Sequence, residues 1–227
     1  MHLVIVIPAY NESRVIGDVI ASLPKTLPGI RRITPLVIDD NSSDETRLCA
    51  RKAGALCISH GANLGAGGAT ITGFEAAMLL KADIVVTMDG DGQHDPEDLP
   101  NLINPIIQKK ADVVFGSRLL NNMGNMPLYK KFGNNLMNII TYIFYRIWIS
   151  DSQSGYKAFS KYALRRIRLS TSGYEFCSEI CGQIKQKKLH FIEVPIKTIY
   201  TDYSRAKGQL ALNAVNIVVG LLLSKIR

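Results

Sequence analysis

Residues 84–100, IVVTMDGDGQHDPEDLP, set a run of β-branched residues directly against a cluster of carboxylates. So short a Val/Ile run, closed by Asp and Gly, reads as a buried strand that ends where the acidic residues begin. Working outward, similar runs stand at 3–7, 35–38, 55–58 and 112–115. Between them the pattern turns helical. ESRVIGDVIASL has apolar residues at helical spacing, SDETRLCARKAG opens on acidic residues and closes on Gly, and GGATITGFEAAMLLKA offers a long apolar face. Alternating strand and helix predict an α/β fold, a mostly parallel central sheet with helices on both faces. Asp95 is placed to cap a helix with Pro96 in its first turn, and Pro100 and Pro105 predict that this helix is bent or split.

In open parallel sheets, ligands sit beyond the carboxyl ends of the strands. PAYNE follows the first run, DDNSSD the second, HGANLGAGG the third, DGDGQ the fourth and GSR the fifth. Five polar loops on one rim predict a binding crevice. Asp89 and Asp91, two apart at a strand end, point the same way and repel each other unless a cation lies between them. A hard divalent cation resolves that conflict and takes further oxygens from phosphate and water. Gln93 offers a neutral oxygen at the next position on that face, while His94 reads as a solvent-facing loop residue. In GANLGAGGATITGF, residues 61–74, Thr70 stands where a dinucleotide fingerprint requires its third glycine, and no G-K-[ST] follows. These glycines either let backbone amides reach a phosphate or sugar, or let a helix pack closely.

The 227 residues, 47% hydrophobic and 20% charged, suit one large globular domain. A net charge of +8 points to an anionic partner. Acidic clusters at 39–45 and 89–98 argue against nucleic acid as that partner. Phosphorylated small molecules and an acidic membrane surface remain. Cys49, Cys57, Cys177 and Cys181 form no CxxC pair, which predicts free thiols in a reducing compartment. The opening MHLVIVIPAYNE reads as a first strand and not as a leader, so the chain is expected to start in the cytoplasm.

VIPAYNE, VIDDNSSDET, NLGAGGA, DGDGQHDPEDL, GSR, DSQSGYKAF, GYEFCSE and VPIKTIYTDYSRAKGQ occur in the order expected of family 2 glycosyltransferases. Across nearly the whole chain the sequence resembles the branch that holds dolichol-phosphate mannose synthases and related polyprenyl-phosphate sugar synthases. That resemblance implies a GT-A domain over residues 1–209, followed at 210–227 by an apolar helix. It implies a donor pocket formed by Pro8, Tyr10, Glu12, Asp39, Asp40, Asn63, Asp89, Gly90 and Asp91, with Asp39 on the base and Asp40 supporting its loop. Asp89, Asp91 and Gln93 would hold Mg²⁺ or Mn²⁺ and, through it, the donor diphosphate. Arg118 would meet phosphate near the reacting centre as a catalytic residue beside Asp89 and Asp91. Arg205 and Lys207 would close over the diphosphate.

The reaction implied is displacement at an anomeric carbon with inversion, transferring one sugar from a UDP- or GDP-linked donor to dolichyl or another polyprenyl phosphate for glycan assembly. A lipid monophosphate, whose second pKa is taken as about 6, needs no general base but must be shielded from the donor diphosphate. Arg118, Lys130 and Lys131 are the candidates for that shielding. An enzyme acting on a saccharide or protein hydroxyl, and a nucleotide-sugar-binding protein without turnover, are the alternatives. Asp39 accepts from uracil and guanine alike, leaving UDP-glucose, UDP-N-acetylglucosamine and GDP-mannose open. Residues 136–149, LMNIITYIFYRIWI, fall short of the roughly 20 needed to span a bilayer and read as a helix in the core or at a membrane interface. Residues 210–227, with Asn213, Asn216, Gly220 and Ser224 on one stripe, would lie on the membrane or pack against a second copy. A peripheral enzyme on the cytoplasmic face is expected.

Overall fold

The computed structural model describes residues 1–120 and 128–199, with side chains in the second stretch from residue 133. Strands β1 (His2–Ala9), β2 (Arg32–Asp39), β3 (Leu56–Ser59), β4 (Ile84–Thr87) and β5 (Val113–Ser117) form where the Val/Ile runs predict them. Two further strands, β6 (Lys157–Ser160) and β7 (Phe191–Pro195), complete a seven-stranded sheet of order β3-β2-β1-β4-β6-β5-β7. β6 runs antiparallel to both β4 and β5, while the other pairings are parallel. The carboxyl ends of β1–β5 therefore share one rim, and β6 brings its amino end to the same place.

β1 shows why the strands are apolar on both faces. Leu3, Ile5 and Ile7 join the core beneath α1 (Ile16–Ala21), α2 (Thr46–Lys52) and α4 (Leu99–Ile107). Val4 and Val6 join the opposite core, with Phe74 and Ala77 of α3 (Gly65–Leu79), Leu164 of α6 (Lys161–Arg166) and Ile180 of α7 (Phe176–Gln186). All five aliphatics of β1 are fully buried. At roughly 1.5–3 kcal/mol each, they outweigh any single hydrogen bond of the rim, so the sheet fixes the loops and not the reverse. The predicted split of the fourth helix is present. Asp95 accepts from Glu97 N at 2.9 Å to cap a 3-10 turn, Pro96–Asp98, which leads into α4, and Pro105 lies inside α4.

The expected helix over 136–149 is displaced. α5 covers Leu128–Tyr145, and Arg146 leaves it in the left-handed region at φ 55°. Its faces are also inverted for a globular helix. Asn134, Asn138 and Thr141, at i, i+4 and i+7, are buried, while Leu136, Ile139, Tyr142 and Ile143 are exposed. Among the described residues no helix is long and apolar enough to cross a membrane. Arg205, Lys207 and the proposed helix at 210–227 lie outside the described residues.

Gly73 of α3 faces Val6, and a Cβ there would overlap the valine. Gly73→Ala should lower stability by roughly 1–3 kcal/mol, because overpacking outweighs the better helix propensity of Ala. Urea denaturation checks this; an unchanged midpoint would show that α3 does not sit so tightly on β1.

Candidate functional site

The loops after β1 and β2 grip each other. Glu12 N–H donates to Thr46 Oγ1 at 2.8 Å, Asn11 N–H to Ser42 Oγ at 2.9 Å, and Ser43 N–H to Asn11 Oδ1 at 2.9 Å. Asn11 can serve here because Asn tolerates the left-handed backbone it adopts, φ 55°. At the ends of β1 and β2, Pro8 pairs with Ile38 and Ala9 with Asp39. Asp39 is buried and accepts from Ser42 N at 3.2 Å, whereas Tyr10 is exposed on the rim. Asp40 supports the next loop. It accepts from Leu64 N and Gly65 N, both at 2.8 Å, and pairs at 2.7 Å with His60, whose other ring nitrogen reaches Thr72 Oγ1. Asn63, expected in the donor pocket, uses both ends of its carboxamide inside this loop, on Asp40 O and Gly65 N.

The glycine-rich loop resolves toward close packing. Gly67 N and Gly68 N donate to Ser172 O at 2.8 and 3.2 Å, and a Cβ on Gly65 or Gly67 would run into the backbone of residues 171–173. The amides that a phosphate would need are already bonded. Glu179 holds the opposing loop in place, accepting from the backbone and hydroxyl groups of both Ser170 and Thr171.

At the end of β4, Gly90 is buried close to Pro8 O, and Gly92 turns the chain at φ 78°. His94 is not the solvent-facing residue the sequence suggests. It is buried, stacked on Tyr156 with ring centroids 4.7 Å apart, and its Nδ1 accepts from Asp89 N at 3.1 Å. Burial lowers its pKa to about 4, so the ring is neutral, and its Nε2 stands 3.5 Å from Asp89 Oδ2. Gln93 turns toward Asp91: its backbone N–H donates at 3.0 Å and its side-chain amide donates to the second carboxylate oxygen. In this arrangement the Gln93 amide nitrogens orient Asp91.

Both carboxylates have pKa values raised above the ordinary 3.8. For Asp89 the cause is desolvation, partly offset by the Arg118 and Lys157 cations; for Asp91 it is desolvation followed by the charge of Asp89. Asp89 still leaves about half of its side chain accessible, 51%, so it faces an open cleft and its shift is smaller than for a fully enclosed group. Two hard oxygen donors that resist ionisation side by side fit a divalent cation. Among the described residues no three acidic, His or Cys side chains are arranged to hold one, so such an ion needs further oxygens from a ligand or water.

Across the cleft, Arg118 at the end of β5 is clamped by Asp151. Nε and Nη2 donate to the two carboxylate oxygens at 2.7 Å each, and Arg118 N–H adds a bond at 2.9 Å. Asp151 is fully buried. Burial alone would raise its pKa, but the guanidinium overrides this and holds it below the ordinary value. Lys157, buried within β6, donates to Ser154 O and lies 5.5 Å from the Phe115 ring centroid. Gly155 packs against Asp89, where no Cβ would fit. These residues were not assigned roles from the sequence, although DSQSGYKAF contains three of them; their signal was a segment without apolar periodicity between two helices. Lys130 and Lys131 fall in the first turn of α5. The chain after β7 returns to the acidic loop, where Ile199 N–H donates to Gln93 O at 2.9 Å.

Residues 4–168 match the family model described as "Glycosyl transferase family 2". The chain is 39% identical to a UDP-N-acetylglucosamine--dolichyl-phosphate N-acetylglucosaminyltransferase of Methanococcus voltae, across 97% of this chain and 95% of that one. It is 31% identical to an undecaprenyl-phosphate mannosyltransferase of Micrococcus luteus (91% and 87% covered) and 30% identical to a dolichol-phosphate mannosyltransferase of Pyrococcus furiosus (96% and 61%). Among solved structures, glucosyl-3-phosphoglycerate synthase from Mycobacterium tuberculosis, in complex with Mg²⁺ and UDP, superposes with a TM-score of 0.72 at 18% identity, covering 97% of this chain and 79% of that one. At that identity the likeness is one of fold.

A cation held by this pair would have to displace protons bound above the usual carboxylate range, so Mn²⁺ affinity in the presence of UDP should weaken with falling pH already above the ordinary carboxylate value of 3.8. Calorimetry at several pH values measures it; affinity that persists down to the ordinary 3.8 would contradict the burial account. Asp151→Asn strands the guanidinium. Its effect on stability should fall near the lower end of the roughly 3–5 kcal/mol for a broken buried pair, since Arg118 keeps 20% of its side chain in water. Chemical denaturation tests that figure.

Proposed function

The chain belongs to glycosyl transferase family 2 and has the GT-A fold, and from that premise we propose that it transfers N-acetylglucosamine from UDP-N-acetylglucosamine to dolichyl or a similar polyprenyl phosphate, with inversion and with a divalent cation. The observation that carries the reading is the opposition of the Asp89–Asp91 pair, which has no Lys or Arg ion-pair partner among the described residues, to an arginine fixed by a buried carboxylate. The Methanococcus voltae relative supports the choice of sugar and lipid, and the other named relatives support a polyprenyl-phosphate acceptor.

Asp89 and Asp91 would hold the cation, which when bound supplies positive charge to the departing nucleoside diphosphate. Asp39 would accept from the base. Gln93 and His94 keep the two carboxylates in position, since each bonds to one of them or to its backbone. Arg118 meets the acceptor phosphate, lowering its repulsion from the donor, and Lys130 and Lys131 in the first turn of α5 add to that field. Asp151 is not a general base: Arg118 keeps its proton affinity low, and a phosphate dianion needs none.

The acceptor's lipid tail gives the inverted faces of α5 a purpose. Leu136, Ile139, Tyr142 and Ile143, joined by Trp148, form an exposed apolar face, with Tyr142 and Trp148 edge-to-face at 6.1 Å and Arg146 lying 5.9 Å from the Tyr142 ring centroid. Aromatic and basic residues combined in this way suit the headgroup boundary of a bilayer. The enzyme is peripheral in this reading, on the cytoplasmic face.

Purified protein incubated with Mg²⁺, dolichyl phosphate and UDP-N-acetylglucosamine should yield an N-acetylhexosaminyl phospholipid by mass spectrometry, abolished by chelator. Asp91→Ala should lower the rate at least about 100-fold, the scale at which removal of one electrostatic group acts in a dry site. Binding of the donor without any lipid product would sink the proposal, and product only from GDP-mannose or UDP-glucose would correct the sugar.

A further inference from the structure

We infer that Asn138 is a positioning residue for sugar transfer: from the inner face of α5 it fixes the loop 150–152 and, through Asp151, aims the Arg118 guanidinium. The inference rests on the proposed function. Asn138 is 2% exposed, and a carboxamide so deeply buried is destabilising unless its groups are bonded. Here three bonds go to one target. Nδ2 donates to Ser150 O at 2.5 Å, while Oδ1 accepts from Ser152 N at 3.1 Å and Ser152 Oγ at 2.8 Å.

Ser150 and Ser152 flank Asp151, so one side chain brackets the carboxylate from both sides. The bracket is reinforced most on the Ser150 side. Glu193 of β7 accepts from Ser150 N at 2.8 Å and from its hydroxyl at 2.5 Å, and Ser117 Oγ lies 2.7 Å from the same hydroxyl. Ser117 immediately precedes Arg118, which places both ends of the ion pair in one network. On the Ser152 side Asn138 holds both the backbone N–H and the hydroxyl of Ser152, while Gln153 Nε2 bonds to the Ser152 hydroxyl and ties the next residue to Ser178 of α7. Without Asn138 the loop keeps its anchors at Ser150 and Gln153 but loses the bond to the Ser152 backbone, which sets the direction of the chain past Asp151.

The same helix carries Lys130 and Lys131 in its first turn. Seven residues separate Lys131 from Asn138, roughly 10 Å along the axis, on a rigid element. Asn138 therefore sets the distance between those two lysine positions and Arg118. A residue that works this way acts through Arg118, and that gives it a signature that loss of packing does not share.

The test is a double-variant cycle read in the lipid-transfer assay, with Asn138→Ala made in the native chain and in Arg118→Lys. In the native chain, kcat/KM for the lipid phosphate should fall roughly 10- to 100-fold, the scale of outer hydrogen-bond partners elsewhere, with KM for the nucleotide sugar within about threefold of native. In Arg118→Lys, which has no bidentate fork to aim, the same change should cost less than about threefold. Equal losses in both backgrounds would overturn the inference, as would native kcat/KM in the folded single variant. If the alanine variant does not fold, Asn138→Asp, which keeps the shape and the acceptor toward Ser152 but loses the donor toward Ser150, enters the same cycle under the same criteria. Absence of transfer by the native chain would instead refute the proposed function.

Discussion

Mutual repulsion among carboxylates is the constraint around which this molecule is arranged. Asp89, Asp91 and Asp151 meet at the rim of one sheet, where desolvation makes each negative charge harder to keep, most completely at the fully buried Asp151 and least at Asp89, which leaves half of its side chain accessible. The protein answers the repulsion in two different ways. Asp151 receives a complete guanidinium partner, and its pKa falls; Asp89 and Asp91 receive only distant cations and each other, and theirs rise. His94 adds no charge to the pair, because burial keeps its ring neutral.

The two halves of the cleft differ in how they are built. On the β1–β4 side, short polar residues bond loop to loop: Asn11 to Ser42 and Ser43, Asp40 to His60 and the loop at 64–65. On the β5–β7 side, a continuous network of Ser117, Asn138, Ser150, Ser152 and Glu193 lies beneath α5, a helix whose polar face is turned inward. Asn138 and Thr141 on that face find partners, while Asn134 Nδ2 is buried without one, and the helix turns Leu136, Ile139, Tyr142 and Ile143 to the outside. Helix α5 thus combines two tasks that most helices separate.

The α/β character, β1–β5 and the crevice at their carboxyl ends could be read from the chain because β1, β4 and β5 are buried on both faces and so appear as unbroken apolar runs, with β2 and the exposed edge strand β3 still carrying short ones. β6 could not. Its four residues include Lys157, whose ammonium is satisfied by Ser154 O and an aromatic face that only the fold supplies. β7 alternates without a run. Asp89 and Asp91 were legible from a spacing of two at a strand end, and Asp40 as loop support from its motif. The long-range partnerships were not: Arg118 with Asp151, and His94 with Tyr156, join residues 33 and 62 apart in sequence, and no local pattern encodes them. The glycines of 65–68 were ambiguous because close backbone approach serves a ligand and a neighbouring loop equally well, and only the position of Ser172 decides between them.

The place of β6 bears on the order in which the chain can assemble. β4 and β5 have no edge in common; each pairs with β6, so Ile84 waits for Ser160 and Val113 for Phe159. Until residues 157–160 arrive, the sheet exists as two separate ribbons, β3-β2-β1-β4 and β5-β7, and the second lacks its own central strand. Neither ribbon is local: β1 meets β4, Leu3 with Ile84, and β5 meets β7, Val113 with Phe191, across comparably long stretches of chain, and joining the ribbons through β6 adds Ile84 with Ser160, all contacts of the kind that slow folding. During synthesis the strands β1–β4 emerge first and present an open strand edge, and β6 acts as the keystone that converts two partial sheets into one.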